Sequence, residues 1–132
     1  MKPRRIRNRP EQGIQIACVG FLRDALPGAV IWHVPNEGKR HPIEGDALKR
    51  MGMLPGFPDV AFLLSGTLYI AECKPAGKGP SDEQIAAINA LTIAGATYLG
   101  IWRSMDDCEE ACVAAGLEMR AVVFGHGFMR KT

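Results

Sequence analysis

The spacing of apolar and polar residues predicts most of the secondary structure. Residues 11–26 carry apolar side chains three and four positions apart, which is typical of a helix, and the breaker pair Pro27-Gly28 ends that helix. Four other runs are rich in β-branched and aromatic residues and therefore predict strands. These runs are residues 29–34, 59–64, 67–74 and 96–102.

A helix over residues 81–94 is predicted by its starting signals as well as by its pattern. Ser81 is a favourable N-cap residue, and Gln84 completes an S-x-x-Q capping box. Gly95 follows the last helical position and predicts the helix end.

The remaining segments are less regular. Ser104 predicts the start of a helix that continues to about Ala115, and residues 117–124 suggest a weak final strand. Residues 35–58 are rich in proline and glycine and predict a long loop, with at most one short helical piece around Asp46–Met51. Loops of this length in compact domains are usually functional or mobile.

The predicted order is α-β-loop-β-β-α-β-α, with a possible last strand. A hairpin followed by a strand–helix–strand crossover indicates a mixed sheet flanked by helices, which is an α/β fold. The segment 69–102 is long enough for a right-handed parallel crossover. We expect residues 11–132 to form one domain.

Composition is compatible with an ordinary globular domain. The chain has 132 residues, of which 47% are hydrophobic and 23% charged. No apolar run approaches the roughly 20 residues of a membrane span, and no apolar stretch follows the charged N-terminus as in a secretory signal. We therefore expect a cytoplasmic protein without membrane association. The four cysteines have no zinc-ligand spacing and are expected to be small buried residues.

Charge is unevenly distributed. Residues 11–129 hold nine basic and fourteen acidic side chains, whereas basic residues crowd residues 1–10. Such an arm could contact phosphates or could simply be a disordered, solubilising terminus. The candidate DNA contacts in this arm are Arg4, Arg5, Arg7 and Arg9.

The predicted hairpin brings charged residues together. If Ser65 and Gly66 are the turn residues, Asp59 lies directly opposite Glu72, and opposed side chains share one face with Cβ atoms about 4.5–5.5 Å apart. Lys74 is two residues beyond Glu72 and lies on the same face. A one-residue slip in the register would separate the three groups.

Two close carboxylates repel each other unless a cation lies between them. Mg²⁺ is a suitable cation, because it binds one or two carboxylates together with water and phosphate oxygens. Such an ion can activate water for attack on a phosphodiester, and the Lys74 ammonium can stabilise developing negative charge. The alternative is a salt-bridged triplet on a solvated sheet face.

Other polar residues allow a functional or a structural interpretation. Glu11 could be a remote third metal ligand, or only a favourable charge at a helix start. Lys49, Arg50 and Lys78 could contact DNA, or could be solvated charges. Gln84 is explained by the capping box, although its side chain could also turn toward the site.

The run from Leu48 to Gln84 resembles the virus-type replication-repair nucleases (VRR-NUC), a branch of the PD-(D/E)xK superfamily. The matching pieces are K-x-M-G-x-x-P-G-x-P-D, E-x-K before a glycine-rich loop, S-x-x-Q at a helix start, and R-S before D-D. Together they cover about half of the chain in the order of the family. The resemblance implies a restriction-endonuclease-like core.

The resemblance also implies site residues. Asp59 and Glu72 look like metal-binding carboxylates, Lys74 like the catalytic lysine, and Gln84 like a glutamine near the active site. Glu11 resembles a glutamate that completes the metal site, and the Cys73 backbone carbonyl would be a further ligand.

The function that the resemblance implies is a DNA endonuclease dependent on Mg²⁺, for which Mn²⁺ substitutes. Family members suggest branched DNA such as Holliday junctions or flaps, homodimeric assembly, and a role in phage or bacterial DNA replication, recombination or repair. The alternative from a different class is a non-catalytic DNA-binding module that uses the basic tails.

Overall fold

The computed structural model describes residues 10–35, 42–120, 122–123 and 129–130. The basic arm falls outside these residues, apart from Pro10. The described helices are α1 (Pro10–Ala25), α2 (Pro42–Arg50), α3 (Asp82–Ile93) and α4 (Met105–Ala114). The described strands are β1 (Val30–Trp32), β2 (Val60–Leu64), β3 (Thr67–Cys73), β4 (Thr97–Trp102), β5 (Val122–Val123) and β6 (Met129–Arg130).

The main sheet is mixed, as the element order predicted. Its strands follow the order β1-β2-β3-β4. The first two pairs are antiparallel, and β3 pairs in parallel with β4 across the crossover through α3. A register shift between Ile70 and Glu72 makes the β3–β4 ladder irregular beside Glu72. Bulges of this kind often redirect a side chain next to an active site.

The hairpin between β2 and β3 has the predicted register. Val60 pairs with Ala71 and Leu64 with Thr67, so the turn consists of Ser65 and Gly66. Their φ angles are 49° and 83°. Positive φ at both central positions defines a type I′ turn, whose twist matches the flanking strands. The register therefore continues toward the predicted pairing of Asp59 with Glu72.

Helices cover both faces of the sheet. α1 and α4 pack on one face, where Phe21, Leu22 and Trp102 belong to the larger apolar core. α3 packs on the other face, where its Ile88 contacts a smaller cluster that includes Ala61 and Ile70. All four cysteines are buried free thiols, which confirms the expectation for them. Among the described residues, no helix is long and apolar enough to cross a membrane.

Two predicted elements need correction. The short helix α2 begins at Pro42, four residues before the predicted Asp46. The predicted strand 117–124 is wrong for residues 117–120, which have no strand structure. There the Arg120 backbone N–H donates to the carbonyl of Ala25 at 3.0 Å, so this segment satisfies the end of α1 instead of extending the sheet.

Candidate active site

Asp59 immediately precedes β2, and its side chain reaches across to β3. The Cys73 backbone N–H donates to Asp59 Oδ2 at 2.9 Å. The carboxylate is thereby fixed beside Glu72, as the hairpin register predicted. The sheet thus brings the two carboxylates together without help from any distant loop.

Glu72 is a fully buried acid whose two carboxylate oxygens differ in their hydrogen bonding. Its Oε2 accepts a hydrogen bond from Gln84 Nε2 at 3.0 Å. Its Oε1 is buried and has no hydrogen-bond partner among the described residues. Burial, reinforced by the neighbouring Asp59 carboxyl, raises the pKa of Glu72 to about 9. The site therefore favours either a proton or a cation at this position.

Gln84 both caps the start of α3 and contacts the candidate active site. Its backbone N–H donates to Ser81 Oγ at 3.2 Å, and its Oε1 accepts from the Ser81 backbone N–H at 2.8 Å, which completes the predicted capping box. Its Nε2 remains available and donates to Glu72. The start of α3 is therefore joined directly to the buried acid.

Gly56 allows the segment before Asp59 to press against the start of α3. It has a φ of 71°, and a Cβ at this position would lie 2.4 Å from the carbonyl carbon and oxygen of Glu83. A side chain would collide with helix backbone that cannot move independently of Gln84. This close approach gives a physical reason for glycine in the P-G-x-P-D segment.

Lys74 pairs with Glu11 of α1. The Lys74 Nζ atom lies 3.4 Å from Glu11 Oε1, and the Lys74 side chain is 12% exposed against 43% for Glu11. Lys74 also lies near enough to Glu72 to lower its pKa, although burial and Asp59 outweigh this effect. Glu72 is fully buried, so the sheet face around it is not solvated as the salt-bridge alternative assumed.

The donor set fits a hard divalent cation at two carboxylates. Within the residues that the structure describes, no three His, Cys, Asp or Glu side chains are grouped so that they could hold a metal. Glu11 contacts Lys74 and does not join Asp59 and Glu72 as a third carboxylate. Mg²⁺ is commonly held by one or two carboxylates and completes its shell with water and phosphate oxygens. The orphaned Glu72 Oε1 is the atom that such an ion would satisfy.

The candidate DNA contacts lie outside this centre. Lys49 and Arg50 are exposed at the end of α2, and Arg50 pairs loosely with Asp46 at 3.8 Å. Lys78 is exposed, and its carbonyl accepts from Arg103 at 2.9 Å. Their role in binding DNA stays a prediction. Arg4, Arg5, Arg7 and Arg9 lie outside the described residues.

Two residues that the sequence interpretation missed contact the site. Gln15 Nε2 donates to the backbone carbonyl of Asp59 at 3.0 Å. His33 Nδ1 lies 2.9 Å from the same oxygen. Gln15 follows Glu11 by one helical turn, so a polar face of α1 was a signal available in the sequence. Nothing in the sequence distinguishes His33.

Two solved structures have this fold. One, described as a VRR_NUC domain, has 17% identity and a TM-score of 0.53, with 81% of this chain and 97% of that chain covered. Another, described as a VRR_NUC domain protein, has 18% identity and a TM-score of 0.57, with 84% and 89% covered. No protein-family model and no curated protein matches the chain. The similarity confirms the predicted restriction-endonuclease-like α/β fold.

Proposed function

We propose that this protein is a DNA endonuclease that requires Mg²⁺ or Mn²⁺. The observation that carries the proposal is the buried Glu72 carboxylate beside Asp59, one oxygen of which has no donor among the described residues. A buried carboxylate oxygen without a hydrogen-bond partner is costly to the fold, and a bound cation would remove this cost. The shared fold with VRR_NUC domains supports a nuclease as the class of enzyme.

Each side chain has a distinct part in this proposal. Asp59 and Glu72 would hold the cation, with the Cys73 backbone carbonyl as a further predicted ligand. Gln84 donates to Glu72 and so orients the carboxylate. When bound, the cation would polarise the phosphodiester and lower the pKa of a water nucleophile.

Lys74 supplies positive charge where negative charge develops. Its ammonium is largely buried, and Glu11 holds it from the side of α1. A charge that is already oriented in a partly desolvated site stabilises the transition state more effectively than a mobile surface charge. We therefore assign catalysis to Lys74 and a supporting contact to Glu11.

The finer features are proposed on the resemblance described above. They are a preference for branched DNA, action as a homodimer, and a role in replication, recombination or repair in a phage or bacterium. The described basic residues Lys49, Arg50 and Lys78 are exposed, which is compatible with phosphate contacts.

The direct test compares cleavage of end-labelled duplex, flap and Holliday-junction DNA with Mg²⁺, with Mn²⁺ and with EDTA. We expect cleavage only with metal, and a loss of at least about 10²-fold for Lys74→Ala. Arg23→Ala is the control, because it removes an exposed basic side chain in the last turn of α1 that belongs neither to the site nor to the candidate DNA contacts.

Equal cleavage by wild type and Lys74→Ala would refute the mechanism. The alternative of a non-catalytic DNA-binding module predicts a different pattern. Binding would be salt-sensitive, would need no divalent metal, would survive Asp59→Asn and would be accompanied by no cleavage of any substrate.

A further inference from the structure

The backbone carbonyl of Asp59 accepts two side-chain hydrogen bonds from different parts of the chain. Gln15 Nε2 reaches it from α1 at 3.0 Å, and His33 Nδ1 reaches it from beyond β1 at 2.9 Å. A carbonyl oxygen can only accept, so the His33 Nδ1 atom must carry the hydrogen.

This carbonyl lies where the strand pairing stops. The β1–β2 register ends with Trp32 opposite Ala61, and β2 itself begins at Val60. Asp59 is therefore the first residue beyond the ladder, where a peptide group could rotate. The two side-chain donors replace the regular strand contacts that would otherwise fix its orientation.

The side chain of Asp59 is held as well as its main chain. Its Oδ2 accepts from the Cys73 N–H at 2.9 Å, so three donors from α1, from the residue after β1 and from β3 converge on this residue. One donor would be enough to satisfy a carbonyl. Fixation from three directions limits both the position and the rotation of the carboxylate.

α1 contributes to both ends of the site. Glu11 and Gln15 are four residues apart and share one face of the helix. Glu11 contacts the ammonium of Lys74, while Gln15 contacts the peptide of Asp59. The first turns of α1 therefore set the position of the lysine relative to the carboxylate.

We infer that Gln15 and His33 are positioning residues that orient Asp59 for binding a divalent cation. The inference rests on the proposed function, in which Asp59 is a metal ligand. Metal-binding carboxylates need placement within about 0.5 Å, and groups that orient ligands typically change metal affinity by about 10–100-fold when they are removed.

The test measures Mn²⁺ affinity directly by isothermal titration calorimetry, so it does not depend on cleavage. Gln15→Met removes the donor without adding charge, and Gln12→Met makes the same change at an exposed position of α1. His33→Ala removes the second donor. His33→Asn restores it, because the amide nitrogen of asparagine is as many bonds from Cβ as Nδ1 of histidine.

We expect Gln15→Met and His33→Ala to weaken Mn²⁺ binding about 10-fold or more, while Gln12→Met and His33→Asn bind like wild type. Thermal unfolding in EDTA serves as a second measurement. A merely structural role would lower the melting temperature of Gln15→Met or His33→Ala and leave Mn²⁺ affinity unchanged, and this result would overturn the inference.

The outcomes separate this inference from the proposed function. If wild type binds Mn²⁺, the variants weaken binding as expected, and no DNA is cleaved, the inference stands and the nuclease proposal fails. If wild type cleaves DNA while all variants bind Mn²⁺ equally, only the inference fails. Absence of Mn²⁺ binding by wild type would overturn the inference for the whole site. Equally weak binding by His33→Ala and His33→Asn would overturn the inference for His33.

Discussion

Glu72 and Cys73 are neighbours in β3, and both are fully buried, yet their surroundings differ in kind. Glu72 faces Asp59 and Gln84, and one of its oxygens has no donor in the part of the chain that the structure describes. Cys73 points to the other face, where its thiol contacts Cys18. Cys18 in turn contacts Cys108, and Cys108 contacts Cys112.

The two faces of the strand differ in polarity. Hydrogen bonding to Cys18 together with burial raises the pKa of the Cys73 thiol, so this thiol stays neutral within the apolar core. On the opposite side, a buried acid that lacks a full set of partners opposes folding. Packing accounts for the buried thiols, whereas the buried carboxyl favours either a proton or a cation beside it.

The largest expected effect on cleavage comes from comparing one substitution on each face of β3. Glu72→Gln keeps the shape of the side chain but removes its charge, so it should reduce metal-dependent cleavage at least about 10²-fold. Cys73→Ala should leave the rate near that of wild type, because its backbone and carbonyl remain. Single-turnover cleavage of labelled DNA measures both rates, and a comparable loss in the two variants would contradict the distinction between the faces.

The next effect concerns the contact that supports the acidic face. Gly56→Ala places a methyl group 2.4 Å from the Glu83 carbonyl at a positive φ, so it should lower the free energy of unfolding by at least about 1–3 kcal/mol. Gly20→Ala is the control, because a Cβ there meets no described atom within 4 Å and Gly20 is helical. It should stabilise the protein by about 0.4–1 kcal/mol. Equal changes in the free energy of unfolding of the two variants, measured by urea unfolding, would contradict the close approach of Gly56 to Glu83.

The metal-free protein should also lose stability as pH rises. The pKa of Glu72 is raised from 4.5 to about 9 in the folded state, so the folded protein holds this proton more tightly than the unfolded chain does. The contribution is complete below pH 4.5 and is lost between that pH and about 9, at up to about 1.4 kcal/mol per pH unit.

Urea unfolding in EDTA across this pH range measures the loss. Glu72→Gln should flatten the pH dependence, because it removes the titrating group from both states. The same slope in the variant and in wild type would show that another group titrates.

The smallest effect is expected among the thiols. Cys112→Ala removes one buried sulfur and should cost on the order of 1 kcal/mol, as for a cavity the size of a methyl group. Metal-dependent cleavage should not change, because Cys112 lies on α4 behind the opposite face of the sheet. A marked loss of cleavage without a loss of stability would connect the thiols to catalysis and erase the contrast between the faces.

Local interactions explain why part of this site could be predicted from the sequence. The Ser65-Gly66 turn fixes the register that brings Asp59 toward Glu72, and the Ser81–Gln84 capping box marks the start of α3. Each depends on residues close together in the chain. The face on which Glu72 lies follows from alternation, but its complete burial does not, because helix α3 covers it from outside the hairpin.

Tertiary contacts account for what the sequence could not predict. Lys74 and Glu11 are separated by 63 positions, and the residue pattern left open whether Glu11 belongs to the site or only favours the helix start. The resemblance implied a metal ligand, whereas the structure places Glu11 against the lysine. The contacts among the four buried cysteines likewise could not be predicted from their spacing in the sequence, because these residues come from α1, β3 and α4.

The double use of the Gln84 side chain has a consequence for how the sequence can change. Because its Oε1 is occupied by the Ser81 N–H, its NH₂ group has to face Glu72, and the amide cannot flip without losing both bonds. A substitution at position 81 that shifts the helix start would therefore also turn a donor away from the acid. Positions 81 and 84 are expected to evolve as a pair, with a change at either one tolerated only when the other compensates.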